Sequence, residues 1–353
     1  MKVINVGLCA FGMSGKVFHA PFLKEHPGFV LCGIVERSKE ESRQNYPEAV
    51  IYKSIEDLLQ NNEIEIIVVN TPVQTHFEYA KKALIAGKNV VVEKPFTVTF
   101  TEAQALVNLA AEKKRFLSVF QNRRFDRDYL KVNEIIKSGN LGPLKEMEIR
   151  FDRFRPQPGS KEHKENPDLP GSGALHDLGA HLIDQATQLF GYPDKIFADV
   201  FAMKGNDFAN DYFDLLLFYK TGLRVRVKSS VFIKESYFSY ILHGEKGTFL
   251  QERSDQQETE LVAGAVPAYH TQWTKPLEHS DGILHYINLK LEEVREETAS
   301  APGNYMQYYD CIYDHITRGK PLPSPGEEIL ENMQLLEAAL LSSAQEKVIK
   351  LQK

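Results

Sequence analysis

The sequence predicts an α/β protein: a doubly wound parallel sheet over residues 1–121, then an α+β region over 122–353 built on an open, mainly antiparallel sheet. Three observations carry this. A glycine-rich turn, Gly7 to Gly15, sits between an apolar stretch and a helical one. Short apolar strands alternate with helical stretches as far as Gln121, the pattern of strands buried on both faces. After Gln121 the strands lengthen and apolar residues alternate with polar ones, which marks a sheet with one buried and one polar face.

In order, the first region reads as strand Lys2 to Gly7, helix near Lys16 to His26, strand Phe29 to Val35, strand Ile64 to Val69 and helix Phe77 to Ala86. Strand Asn89 to Val92, helix Thr101 to Lys113 and strand Phe116 to Phe120 complete it. Gly87 stands where a helix C-terminus favours glycine, and Thr99 with Glu102 forms a capping box. The second region reads as a helix near Asp126 to Lys137 and strands Lys145 to Phe154, Asp211 to Tyr219 and Leu223 to Val231. In the last of these, Leu223, Val225 and Val227 alternate with Arg224, Arg226 and Lys228. Helices Tyr305 to Arg318 and Glu327 to Glu346 follow, separated by the breaker-rich Gly319 to Gly326.

Composition bounds the function. At 353 residues the chain exceeds what one core usually supports, and 42% hydrophobic with 25% charged residues is ordinary globular usage. A net charge of -6 argues against nucleic acid, which needs clustered Lys and Arg to neutralise phosphates. No apolar run approaches the length of a membrane span, and the N-terminus enters a strand directly, so cytoplasmic residence is expected. Cys9, Cys32 and Cys311 lack ligand spacing and read as reduced thiols, with no metal site expected.

The glycine turn has the order a dinucleotide site requires: the strand delivers the backbone, Gly12 and Gly15 let it approach a pyrophosphate, and the helix N-terminus faces the anion. Ala10 occupies the first glycine position of the pattern, so the turn is expected to be built differently there. Candidate cofactor residues are Gly7, Phe11, Gly12, Met13, Ser14 and Gly15 in the turn, and Glu36, Arg37 and Ser38 at the next strand end. Asn70, Thr71, Pro72, His76, Glu93, Lys94 and Gln121 join them at or near the later strand ends. Glu36 would accept from both ribose hydroxyls and repel a 2′-phosphate, whereas Arg37 and Ser38 supply the cation and hydroxyl a phosphate needs. NADP(H) is favoured and NAD(H) stays open.

Two constellations can carry chemistry. Lys94, flanked by Pro95 and preceded by three valines, is a fixed amine at a strand end or a surface lysine. Asp177 and His181 share one helical face, with Asp184 near the same stripe, so they read as an oriented proton acceptor or as a helix-surface ion pair. His243, His270 and His285 show no comparable neighbours and read as structural or surface groups.

Taken together, the glycine turn, Glu93-Lys94-Pro95 and Asp177-x-x-x-His181 resemble the Gfo/Idh/MocA oxidoreductases over essentially the whole chain. The segments Phe18-His19-Ala20-Pro21, Gln121 to Arg124, Asp255 to Glu258 and Gly303-Asn304-Tyr305 are similar to a bacterial subgroup that includes an NADP-dependent scyllo-inositol dehydrogenase. The resemblance implies a Rossmann domain followed by an open-sheet domain, and hydride transfer between a nicotinamide and a secondary alcohol. It implies that Lys94 hydrogen-bonds the reacting oxygen, that His181 takes the hydroxyl proton and that Asp177 positions His181 and the substrate. A polyol, sugar or inositol is the expected substrate, with Arg124, Arg155, Asp177, His181, Tyr305 and Tyr308 as contacts, and a homodimer or homotetramer as the assembly. A nicotinamide-binding sensor without turnover, or a reductase of another carbonyl or an imine, is the alternative.

Overall fold

The computed structural model describes residues 2–157, 159, 162–235 and 237–352. They form two compact units: residues 1–122, 256–274 and 304–330 make the first, and 123–255, 275–303 and 331–353 make the second. Sequence reading places one cut at 121/122; the first unit also takes in two later segments.

In the first unit, β1 (Ile4–Leu8), α1 (Ala20–Glu25), β2 (Phe29–Val35), β3 (Val50–Tyr52), α2 (Ile55–Leu59) and β4 (Ile66–Val69) are followed by α3 (His76–Ile85), β5 (Asn89–Val92), α4 (Phe100–Lys113) and β6 (Leu117–Val119). The six strands are all parallel, in the order β3-β2-β1-β4-β5-β6. Strand order reverses between β1 and β4, the switch point at which doubly wound sheets bind ligands beyond their carboxyl ends. Ile66 to Val69 and Val90 to Val92 are at most 2% exposed, as strands covered on both faces must be. The capping box of α4 is present: Thr99 Oγ1 accepts from Glu102 N–H at 3.2 Å, and Glu102 accepts from Thr99 N–H at 3.2 Å. Strand β3 has three residues, too few for an alternation to register in sequence.

The second unit carries α5 (Arg127–Ser138), β7 (Leu144–Arg150), α6 (Glu162–Glu165), α7 (Ala180–Phe190), β8 (Lys195–Phe201), β9 (Tyr212–Phe218), β10 (Arg224–Ser230), β11 (Tyr240–Gly244) and β12 (Gly247–Gln251). After α8 (Gln257–Val262), which belongs to the first unit, come β13 (Gly282–Ile287) and β14 (Glu293–Thr298). The nine strands run β14-β13-β12-β11-β7-β10-β9-β8-β15, with β15 (Ile349–Lys350) at one edge. Only β7 and β10 pair in parallel among them. Val225 and Val227 are fully buried while Arg226 is exposed, so the expected alternation sets one face of this sheet against helices. Helix α7 packs on that face, against β7 and β10.

Helix α9 (Met306–Arg318) returns to the first unit with a stripe of tyrosines. Tyr313 donates to the Lys2 carbonyl at 2.9 Å and its ring lies over Gly28, where a Cβ would collide with it. Tyr308 OH pairs with Ser118 Oγ at 2.8 Å and its ring meets Phe120 edge-on, 4.8 Å between centroids. Helix α10 (Gly326–Gln345) follows, and its later residues bond within the second unit. Among the described residues, no helix is long and apolar enough to cross a membrane.

Candidate functional site

The glycine turn is built without left-handed backbone: Gly7, Ala10, Gly12 and Gly15 are all absent from the positive-φ positions. Ala10 therefore fits, and the glycines serve close approach. A Cβ on Gly15 would lie 2.5 Å from the Ala10 carbonyl oxygen and 2.9 Å from Asn70 Nδ2, whereas one on Gly12 would meet nothing within 4 Å. The space before Gly12 is thus open, which fits a pyrophosphate approaching the helix N-terminus. Asn70, one residue beyond β4, clamps the turn from the other side of the switch point. Its Oδ1 accepts from Ala10 N–H at 3.0 Å and its Nδ2 donates to Ala10 O at 2.8 Å.

Behind the turn the chain makes one π turn, Gly15–His19, before α1 begins. The wider turn brings Ser14 and His19 to one carboxylate, that of Glu93 at the end of β5. Ser14 Oγ donates to Glu93 Oε1, and His19 Nε2 lies 3.0 Å from the same oxygen. Glu93 Oε2 accepts the backbone N–H of Lys94 at 3.1 Å. On its far side His19 Nδ1 stands 2.6 Å from Tyr309 OH on α9. Burial pushes the Tyr309 phenol well above its ordinary range, so its hydroxyl keeps its proton. His19 thus bridges Tyr309 and Glu93 through its two ring nitrogens. Burial raises the Glu93 carboxyl, yet the His19 hydrogen bond and charge, the Ser14 hydrogen bond and the Lys94 charge outweigh it and hold the group down at about 2.

The other candidates in this unit divide into groups at the surface and groups already bonded. Glu36 is 7% exposed and turned into the loop that follows β2. Its carboxylate accepts from the N–H groups of Glu41 and Ser42, each at 3.0 Å, and from the Ser42 hydroxyl. Arg37 and Ser38 are exposed beside it. His76 links two strand ends, its Nε2 2.8 Å from Thr71 O and its Nδ1 2.9 Å from Pro95 O. Burial lowers its pKa, so the neutral ring donates to one of these carbonyls at a time. Thr71 Oγ1 accepts from Thr75 Oγ1 at 2.7 Å. Gln121 is 2% exposed, and its Oε1 is buried without a hydrogen bond. Lys94 is half-buried, and Tyr305 and Tyr308 are fully buried.

In the second unit a second π turn, Leu175–Gly179, precedes α7, so Asp177 lies in the wide turn and His181 in the first turn of the α-helix. His181 is 4% exposed. Asp177 is half-buried and accepts from Lys164 Nζ at 2.6 Å. Asp184, one turn further on, holds Arg124 through two parallel bonds, Nε to Oδ2 at 2.7 Å and Nη2 to Oδ1 at 2.6 Å. Asn332 Nδ2 donates to the same carboxylate at 2.9 Å. Arg155 is exposed. Gln185, fully buried on α7, accepts from Tyr240 OH at 3.1 Å and donates to the Arg123 carbonyl at 3.1 Å.

Sequence reasoning passes over His19, Tyr309 and Lys164. The Phe18-His19-Ala20-Pro21 segment stands out in the sequence, but the partner of His19 lies 290 positions away. No local pattern announces that.

Comparison with known proteins divides the chain near the cut read from the sequence. A family model described as an oxidoreductase family NAD-binding Rossmann fold matches residues 4–121, and one described as an oxidoreductase family C-terminal alpha/beta domain matches 133–351. The chain is 37% identical to an uncharacterised oxidoreductase, YhhX, of Escherichia coli, over 95% of each chain. It is 33% identical to a protein of Bacillus subtilis named scyllo-inositol 2-dehydrogenase (NADP(+)), over 100% of this chain and 97% of the other. A solved oxidoreductase structure from Bacillus cereus superposes with a TM-score of 0.90 at 30% identity, covering 99% of each chain.

Proposed function

We propose that this chain, which belongs to the Gfo/Idh/MocA oxidoreductase family, moves a hydride between NADP(H) and a secondary alcohol carbon of a polyol, sugar or inositol. The observation that carries the reading is that Glu93 and Lys94 end β5 at the carboxyl edge of a β3-β2-β1-β4-β5-β6 sheet whose glycine turn is open at Gly12. The cofactor supplies the hydride acceptor or donor. The chain supplies the rest. The helix N-terminus after Gly12 holds the pyrophosphate, His181 accepts the hydroxyl proton, and Lys94 donates a hydrogen bond to the alkoxide oxygen as charge develops on it. Asp177, paired with Lys164, orients the polar edge of α7 around His181.

NADP(H) is preferred because the acidic residue that would repel a 2′-phosphate is spent on its own loop. Glu36 serves three donors there, and Arg37 and Ser38 beside it are exposed. Support for the alcohol substrate comes from the Bacillus subtilis relative, named for an inositol and NADP+. A panel of polyols, sugars and inositols assayed for NADP+ reduction tests the reading. Lys94→Ala and His181→Ala are expected to lose turnover yet still bind NADP(H). Wild-type turnover in both variants would overturn the assignment.

A further inference from the structure

We propose that the Glu93 carboxylate biases the nicotinamide side of this site toward the oxidised, positively charged form of the cofactor. The inference rests on the dinucleotide reading above and deepens it. In a doubly wound sheet the dinucleotide straddles the switch point, one nucleotide to each half. Here the half that begins with β1, β2 and β3 carries Arg37 and Ser38, which leaves the nicotinamide half to β4, β5 and β6. Glu93 follows β5 directly, and its side chain keeps 11% of its exposure at that edge.

What distinguishes this carboxylate is its company. Four groups face it: Ser14 from the glycine turn, His19 from the π turn, Lys94 from its own loop and His76 from α3. Ser14 is neutral. Burial keeps His76 neutral. His19 meets Glu93 through Nε2, 3.0 Å from Oε1, with the Tyr309 hydroxyl 2.6 Å from its other ring nitrogen. Lys94 is a cation next to it in the chain, and it sits in the half-buried loop. Hydrogen bonds from Ser14, His19 and the Lys94 N–H fix the ionised carboxylate in place, so replacing it by an amide removes one negative charge from a fixed position.

The oxidised and reduced cofactors share every atom of the adenosine and pyrophosphate, and they differ by the positive charge of the nicotinamide ring. The ratio of their dissociation constants thus cancels whatever Glu93 does to the shared part and reports its effect on the ring alone.

The full-length protein is titrated with NADP+ and NADPH, and with NAD+ and NADH. Glu93→Gln is expected to shift the ratio about tenfold toward the reduced form, the effect of removing one charge at close range in a partly buried site. Glu93→Asp, which keeps the charge, should stay within about threefold of wild type. Lys94→Gln removes the opposing cation from a half-buried loop position and should move the ratio the other way. Should glutamine at 93 prevent folding, Glu93→Ala, which also removes the charge, is titrated in its place. An unchanged ratio in Glu93→Gln overturns the inference while wild-type binding leaves the dinucleotide reading intact. Failure of the wild type to bind any of the four removes both.

Discussion

Asp184 grips Arg124 with both carboxylate oxygens, at 2.6 and 2.7 Å, and the two side chains retain 2% and 13% of their exposure. This pairing occupies the Nε/Nη2 edge of the guanidinium and joins α7 to the segment entering the second unit. Arg124, expected from the sequence to touch substrate, has a structural bond to keep.

Breaking that pair strands a charge. Arg124→Met is expected to destabilise the protein by about 3–5 kcal/mol, because Asp184 keeps only the Asn332 donor. The double variant Arg124→Met with Asp184→Leu should recover most of the loss. Urea unfolding of the three proteins checks this. A fully stable Arg124→Met with impaired substrate binding would return the arginine to substrate recognition.

The Glu93 network makes stability depend on acid. The carboxyl is held at about 2 when folded, below its ordinary value of about 4.3, so ionisation favours the native state. That contribution, roughly 3 kcal/mol, is fully present above pH 4.3 and disappears as pH falls towards 2. Unfolding free energies measured between pH 6 and pH 3 should fall less steeply in Glu93→Gln than in wild type. Parallel profiles would assign the acid sensitivity to other carboxylates.

Cofactor choice should follow Arg37. Its replacement by alanine is expected to weaken NADP(H) binding about tenfold or more, the size of one lost charge-assisted bond, and to leave NAD(H) binding unchanged. Glu36→Ala should loosen the loop at residues 41–44 without creating NADP(H) affinity, since its carboxylate already points inward. Titrations with both cofactors separate the two effects. Equal loss for both cofactors in Arg37→Ala would count against a phosphate-reading role.

Gly15 tolerates no side chain. An alanine there would press on the Ala10 carbonyl at 2.5 Å and on the Asn70 amide at 2.9 Å, both parts of the clamp across the switch point. The expected cost is about 1–3 kcal/mol of stability together with weaker cofactor binding. Thermal unfolding and titration read the two losses, whereas Gly12→Ala, facing open space, should impair binding alone.

Legibility in the sequence tracked distance along the chain. Strands β2 and β5 fall at the bounds their apolar runs mark, and the α4 capping box forms as Thr99 and Glu102 predict, since each is settled by neighbours a few residues away. The two π turns were not visible, because their register is set by packing and not by any residue type they contain. Nor was the duty of Arg124, whose acceptor lies 60 positions on, or that of His19, answered by a tyrosine near the end of the chain. Residue type announced which side chains could do chemistry. Which were already engaged depended on tertiary contacts.

Tyr308, Tyr309 and Tyr313 tie α9 back onto the sixth strand at Ser118, the π turn at His19 and the N-terminal Lys2 carbonyl. During synthesis the ribosome must therefore translate roughly 190 further codons after the sixth strand emerges before the nucleotide-binding half can close, an interval of about 10–40 s. Throughout that interval His19 and Phe22 lack the aromatic cover α9 gives them, so this part of the nascent chain keeps apolar surface open to water.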